Sequence, residues 1–240
     1  MNHGTPPLTL PEELLLLARH PEKGNRLCSA RYLEYGLAGA VLAELQLSGH
    51  VMEERGRPVV LQRVPPEDRR LAGALRSLGA PGSKAPKTHR WVRSAARHVE
   101  EPWLTGLVER RALRAERRRA LGIFPYTRYP VGPVDLTAET RRRFEAARTA
   151  GWPDPRSRAL TALVFAIGVG GVLYPGWGAR HQRSAMRDIL DHSWTAKAVR
   201  RNIQADKSSG SGGFGGGDGG GDSGGDGGGG GDGGGGGGGD

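Results

Sequence analysis

LTLPEELLLLA, running from Leu8 to Ala18, joins a helix-start signal directly to an apolar run. Thr9 and Glu12 stand at capping-box spacing: the threonine hydroxyl accepts from the backbone at Glu12, and the Glu12 carboxylate reaches back. Leu14, Leu15, Leu16 and Leu17 then make the helix apolar on every side, and such a helix is expected inside a fold. Glu12 and Glu13 point to different faces and suit the positive end of the helix dipole. The fold is therefore expected to be built around helices.

Outward from this stretch, His20 to Gly24 reads as a turn and a second helix is expected from about Ser29 to Ser48, with Gly49 as its C-terminal cap. Leu33, Leu37, Ala40, Val41, Glu44 and Leu45 fall at helical spacing. Gly36 and Gly39 cost that helix roughly 1 kcal/mol each against alanine, so close packing on a neighbouring helix is their expected use. His50–Glu54 and Pro58–Leu61, joined through Arg55-Gly56-Arg57, read as a short hairpin. Residues 68–78 suit an amphipathic helix closed by Gly79. Thr88 is expected to cap a helix from His89 to Glu101, ended by Pro102, and another follows from Trp103 to Arg111. A charged link and the extended segment GIFPYTRYPV, from Gly122 to Val131, suggest a projecting hairpin. Helices are expected at about 137–150, 155–169 and 181–204. The fold class is mainly α, a helical bundle core ringed by amphipathic helices with one or two short β-hairpins.

From Asp206 onward the 240-residue chain is almost wholly Gly, Asp and Ser, too poor in apolar surface to offset the entropy of ordering. Residues 1–205 are thus expected to form one domain and 206–240 a disordered tail. Six aspartates against Lys207 give the tail a net charge of −5, which leaves +15 on residues 1–205 of a chain whose total is +10. A body that basic points to an anionic partner, lipid headgroups or nucleic acid, or else to a basic surface that serves solubility. Between Arg158 and Arg180 no side chain is charged, but glycines and Pro175 fill the second half, so the helical apolar stretch is too short to span a bilayer and suits a buried core. Cys28 is the lone cysteine, and Met1 to Pro7 lacks a basic region followed by an apolar run; both favour a cytoplasmic location. No catalytic motif, metal-ligand cluster or nucleotide-binding loop appears, and no cofactor is expected.

Arginines carry the strongest site signal. Arg90, Arg93 and Arg97 recur at i, i+3 and i+7, a spacing that puts three guanidinium groups on one helical face able to hold a phosphate with paired N–H donors. A solvated stripe balanced by Glu100 and Glu101 is the plainer reading. Arg110, Arg111, Arg114, Arg117, Arg118 and Arg119 form a second cluster, suited to an anionic membrane or, with the hairpin as a wing, to DNA phosphates. Ile123, Phe124, Tyr126 and Tyr129 form a self-association surface, a shallow membrane wedge or a cover over the core.

LTLPEELLLLA, YGLAGAVLAELQLSGHV (Tyr35–Val51), GLVERRAL (Gly106–Leu113), the hairpin segment and DPRSRALTALVFA (Asp154–Ala166) occur in an order that resembles the Golgi phosphoprotein 3 family over about residues 8–203. The resemblance implies a non-catalytic peripheral membrane adaptor. It implies a basic face that binds phosphatidylinositol 4-phosphate, a hairpin used in self-association, and cytosolic tails of membrane enzymes as partners. By local matching, the family's headgroup-binding tryptophan falls on Ser29, one arginine on Ala38, and its arginine pair on Arg97 and Glu100. Headgroup contacts are therefore expected from Arg97, with Arg93 and Arg90 beside it.

Overall fold

The computed structural model describes residues 7–210, except 63, 81, 84, 121 and 122; the side chains of Ala120, Phe124 and Gly210 are likewise outside the described parts. Helix α1 (Leu10–Leu17) is buried at every residue and packs against α2 (Ala30–Leu47), α5 (Glu100–Glu109), α6 (Leu136–Thr149) and α7 (Pro155–Ala166). The Thr9 backbone N–H donates to the Glu12 carboxylate at 2.9 Å, closing the expected start of α1. Both first-turn carboxylates are buried. Glu12 meets Arg70 and Arg110 at 3.3 Å each, and Glu13 meets Arg143 at 3.4 Å and Arg156 at 3.0 Å. Burial raises the pKa of Glu13 against the downward pull of Arg156 and Arg143.

α2 lies between α7 and α10 (Trp194–Gly210), and its glycines explain the approach. A Cβ at Gly36 would lie 2.6 Å from Ile167 Cγ2, and one at Gly39 would lie 2.5 Å from Val199 Cγ2. Neither space admits a methyl group, so the helix gives up propensity for close contact. Asp154 caps α7 by accepting from the Ser157 N–H at 2.9 Å.

Strands β1 (Val51–Glu54) and β2 (Arg57–Val60) pair antiparallel, Val51 opposite Val60 and Glu54 opposite Arg57. Arg55 and Gly56 turn between them with φ of 52° and 77°, the positive values a tight hairpin turn requires. Helix α3 (Arg69–Ser77) is capped by Asp68, which accepts from Arg70 and Leu71 N–H groups at 2.7 and 3.2 Å. Strands β3 (Glu116–Ala120) and β4 (Phe124–Arg128) form a second antiparallel ribbon with Arg118 opposite Tyr126. The stretch read as a charged link is thus one strand of the hairpin.

The helix expected from His89 to Glu101 is divided. α4 covers Thr88–Ala95, a 3-10 turn covers Ala96–His98, and α5 begins at Glu100. Pro102 does not end a helix; it lies in the first turn of α5, where a missing N–H leaves no bond unmade. Nor does Thr88 cap α4. Its N–H and hydroxyl both donate to the Gly56 carbonyl, at 2.9 and 3.0 Å, and tie the helix start to the β1–β2 turn. The helix expected over 155–169 breaks at Gly168 (φ 84°) before a short α8 (Val169–Leu173). The segment 181–204 divides at His192 and Ser193 into α9 (Arg180–Asp191) and α10. α10 continues to Gly210, so the boundary expected after residue 205 falls inside a helix; the remaining tail, 211–240, lies outside the described residues. No described helix is long and apolar enough to cross a membrane.

Candidate anion-binding face

α4 and α10 pack together, and the Asn202 side-chain amide fastens them by donating to the His89 carbonyl at 2.8 Å. Around this joint the sequence supplies cations: Lys87, Arg90 and Arg93 on or just before α4, Lys197 and Arg201 one turn apart on α10. Arg90, Arg93 and Arg97 are all exposed, but the 3-10 turn places them in different surroundings. Among the described residues Arg90 and Arg97 have no ion-pair partner.

Arg93 is held. Its guanidinium donates to the Asp206 carboxylate at 2.5 Å, and the Tyr35 hydroxyl donates to the other oxygen of the same group at 2.8 Å. Arg31 approaches Asp206 at 3.7 Å and lies over the Tyr35 ring at 4.6 Å. Asp206, read from composition as the first residue of the tail, is instead the acid that joins α10 to α2 and α4. Tyr35 and Arg31 were not anticipated either, because their roles depend on a contact 171 positions away in the chain.

Arg97 borders a cavity of about 460 Å³ lined by Arg26, Glu34, Glu100, Glu101, Tyr126 and Tyr129, among others. Carboxylates outnumber arginines in that set. Glu100, however, is not a free anion: it is shared by Arg19, which is 4% exposed, and by Arg26 at 2.8 Å. Burial lowers the pKa of Arg19, and the Glu100 carboxylate beside it opposes that shift. The position where the resemblance expected a second headgroup arginine therefore carries a carboxylate consumed by two arginines from the α1–α2 connection. Nearby Cys28 is half-buried, and burial pushes its thiol up to about 11.

Of the hairpin residues, Ile123 is 74% exposed and Tyr126 is also exposed, with Arg128 over its ring at 5.3 Å. Tyr129 instead turns inward, packs against the core and lies 5.1 Å from the Arg19 guanidinium. The Phe124 side chain is outside the described parts. Among the described residues, no group of three or more His, Cys, Asp and Glu could hold a metal ion.

A leucine-filled helix packed among four others, with two small ribbons and cations gathered around one helix pair, defines a helical scaffold whose distinctive chemistry is surface charge. The chain belongs to the Golgi phosphoprotein 3 (GPP34) family, whose model matches residues 10–205. No curated protein matches it.

Proposed function

We propose that the chain is a non-catalytic peripheral membrane adaptor that docks on anionic phospholipid headgroups, phosphatidylinositol 4-phosphate by family resemblance. Arg90, Arg93 and Arg97 supply its phosphate contacts. The supporting observation is that Arg90 and Arg97 are exposed cations without a carboxylate partner among the described residues. Arg93 is also within reach of a headgroup: its pair with Asp206 is nearly half exposed on the arginine side, and such pairs contribute only about 0–1 kcal/mol. A phosphate offering two acceptor oxygens displaces Asp206 at that cost. Each basic residue near an anionic bilayer contributes about 1 kcal/mol, so three give a loose, reversible hold. The exposed Ile123 on the β3–β4 ribbon suits shallow insertion or contact with a second copy, with Phe124 and Tyr126 beside it in sequence and Tyr129 at the ribbon's root. A cytoplasmic site, with membrane-enzyme tails as clients, follows the family reading.

Co-sedimentation of the full chain with vesicles tests this. Binding to phosphatidylcholine vesicles containing phosphatidylinositol 4-phosphate, lost on Arg90→Glu/Arg97→Glu, is the expected result; equal binding to neutral and anionic vesicles at low salt defeats it. The ribbon favours one second reading. Arg117 and Arg119 face the same side as Thr127 and Pro125, exposed and without ion pairs among the described residues, and a basic ribbon also fits nucleic-acid phosphates. That reading requires generic duplex DNA to bind with a steep salt slope and no preference among vesicles.

A further inference from the structure

A basic concavity lies at the start of α4. Its walls come from three elements: the β1–β2 turn with Arg55, the α4 entry with Lys87 and His89, and α10 with Trp194, Lys197 and Arg201. It encloses about 380 Å³, within the range of small-ligand sites, and is a separate cavity from the one at Arg97. Arg55, Lys87, Lys197 and Arg201 are exposed, and none has an ion-pair partner among the described residues. Glu53 is the one carboxylate in the wall among the described residues, and the Gly56 N–H within the turn already engages it. Four cations facing one acid leave a surplus of three positive charges, more than a phosphodiester's single negative charge can match.

The walls are also fixed before any ligand arrives. Thr88 spends both of its donors on Gly56, Asn202 ties α10 to His89, and the Trp194 indole N–H is held by the Gln46 side chain at 2.7 Å. Like charges held together on a rigid frame repel one another, and an anion relieves that repulsion without loop ordering. Burial first, then the cations Arg201, Arg90, Lys87 and Arg93, lowers the pKa of His89, in keeping with a positive potential at this groove.

We infer that the groove between the β1–β2 turn, α4 and α10 binds a multiply charged phosphate, a phosphomonoester or a pyrophosphate. The source is either a lipid headgroup or a free phosphate compound. The inference does not require the Arg90–Arg97 face to dock on membranes, so the two readings can fail separately.

Titration calorimetry of the full chain with inorganic pyrophosphate at low salt tests the groove. Saturable binding at one site is expected, weakened at least about tenfold, or 1.4 kcal/mol, by Lys197→Glu/Arg201→Glu. Arg55→Glu, on a different element, shifts affinity in the same direction. Arg142→Glu/Arg187→Glu makes the same change in charge at exposed positions elsewhere and leaves binding within about twofold, less than 0.5 kcal/mol. Absence of saturable binding in the unaltered chain, or equal loss in both double variants, overturns the proposal. Phosphatidylcholine vesicles carrying phosphatidic acid then identify the source, with Arg90→Glu/Arg97→Glu present throughout so that the other face contributes nothing. If Lys197→Glu/Arg201→Glu loses them together with pyrophosphate, the ligand is a headgroup; if it keeps them and loses only pyrophosphate, the ligand is a free phosphate compound.

Discussion

Gly39 shows how one missing methyl group sets a helix spacing. In Gly39→Ala the new Cβ meets Val199 at 2.5 Å and Leu163 at 3.0 Å. Overpacking of this kind costs about 1–3 kcal/mol, against roughly 1 kcal/mol gained in helix propensity. Gly73 on α3 has open space, its nearest neighbour being the far end of Arg76 at 3.8 Å. A lower urea midpoint for Gly39→Ala and an unchanged or higher one for Gly73→Ala are expected; the same response in both would remove the packing explanation. His89 provides a test of potential at the same scale. Its folded pKa lies below the unfolded 6.5, so the unfolded chain binds more protons in that window. Stability from this group therefore rises with pH and is lost as pH falls from 6.5 through the folded value. Arg201→Glu removes one of the cations responsible, and the His89 ring resonances should then titrate at higher pH. A midpoint that does not move would place Arg201 too far away to act.

Between elements, fixed ion pairs take over from local signals. Glu100 opens α5 and neutralises Arg19 and Arg26 across a sequence gap of 81 and 74 positions. Glu100→Gln leaves Arg19 buried beside a neutral amide, and an uncompensated buried charge costs about 3–5 kcal/mol. Chemical denaturation should show a loss of about 3 kcal/mol, and Glu100→Arg, which puts at 100 the residue expected from the family, should be worse rather than restorative; a loss under about 1 kcal/mol would mean solvent reaches the pair. What the sequence made legible follows the same division. The start of α1, the turn at Arg55-Gly56, the closure of α3 and the packing use of Gly36 and Gly39 were readable, because caps, positive-φ positions and helical spacing are encoded within a few residues. The break at 96–98 was not, since it lies in a stretch of ordinary helix composition; at 192–193 the local signal is Ser193, whose hydroxyl accepts from the Ala196 N–H at 3.3 Å and caps α10, and the reading of one continuous helix passed over it. The arginine spacing located Arg90, Arg93 and Arg97 on the surface. It could not show that Asp206 holds one and that Glu34 and Glu101 border another.

At the scale of the whole molecule the governing quantity is charge separation. Residues 211–240 carry five aspartates and no cation, while the body is strongly basic. Opposite charges in one chain compete with external anions, and the competition is screened over about 10 Å at 0.1 M salt. A chain ending at Gly210 should therefore bind anionic vesicles more tightly than the full chain at low salt, and the difference should vanish as salt rises. Equal binding of the two forms at every ionic strength would make the acidic segment irrelevant to docking. The burial of Cys28 has a practical corollary at this scale, because it is the only thiol in the sequence. With a pKa of about 11, only about one molecule in ten thousand is a thiolate at neutral pH. Ile123→Cys on the ribbon tip would thus accept a maleimide dye against a nearly silent background, with every native residue but one left in place. The dye's emission would then report directly whether that tip meets water, lipid or another copy of the chain.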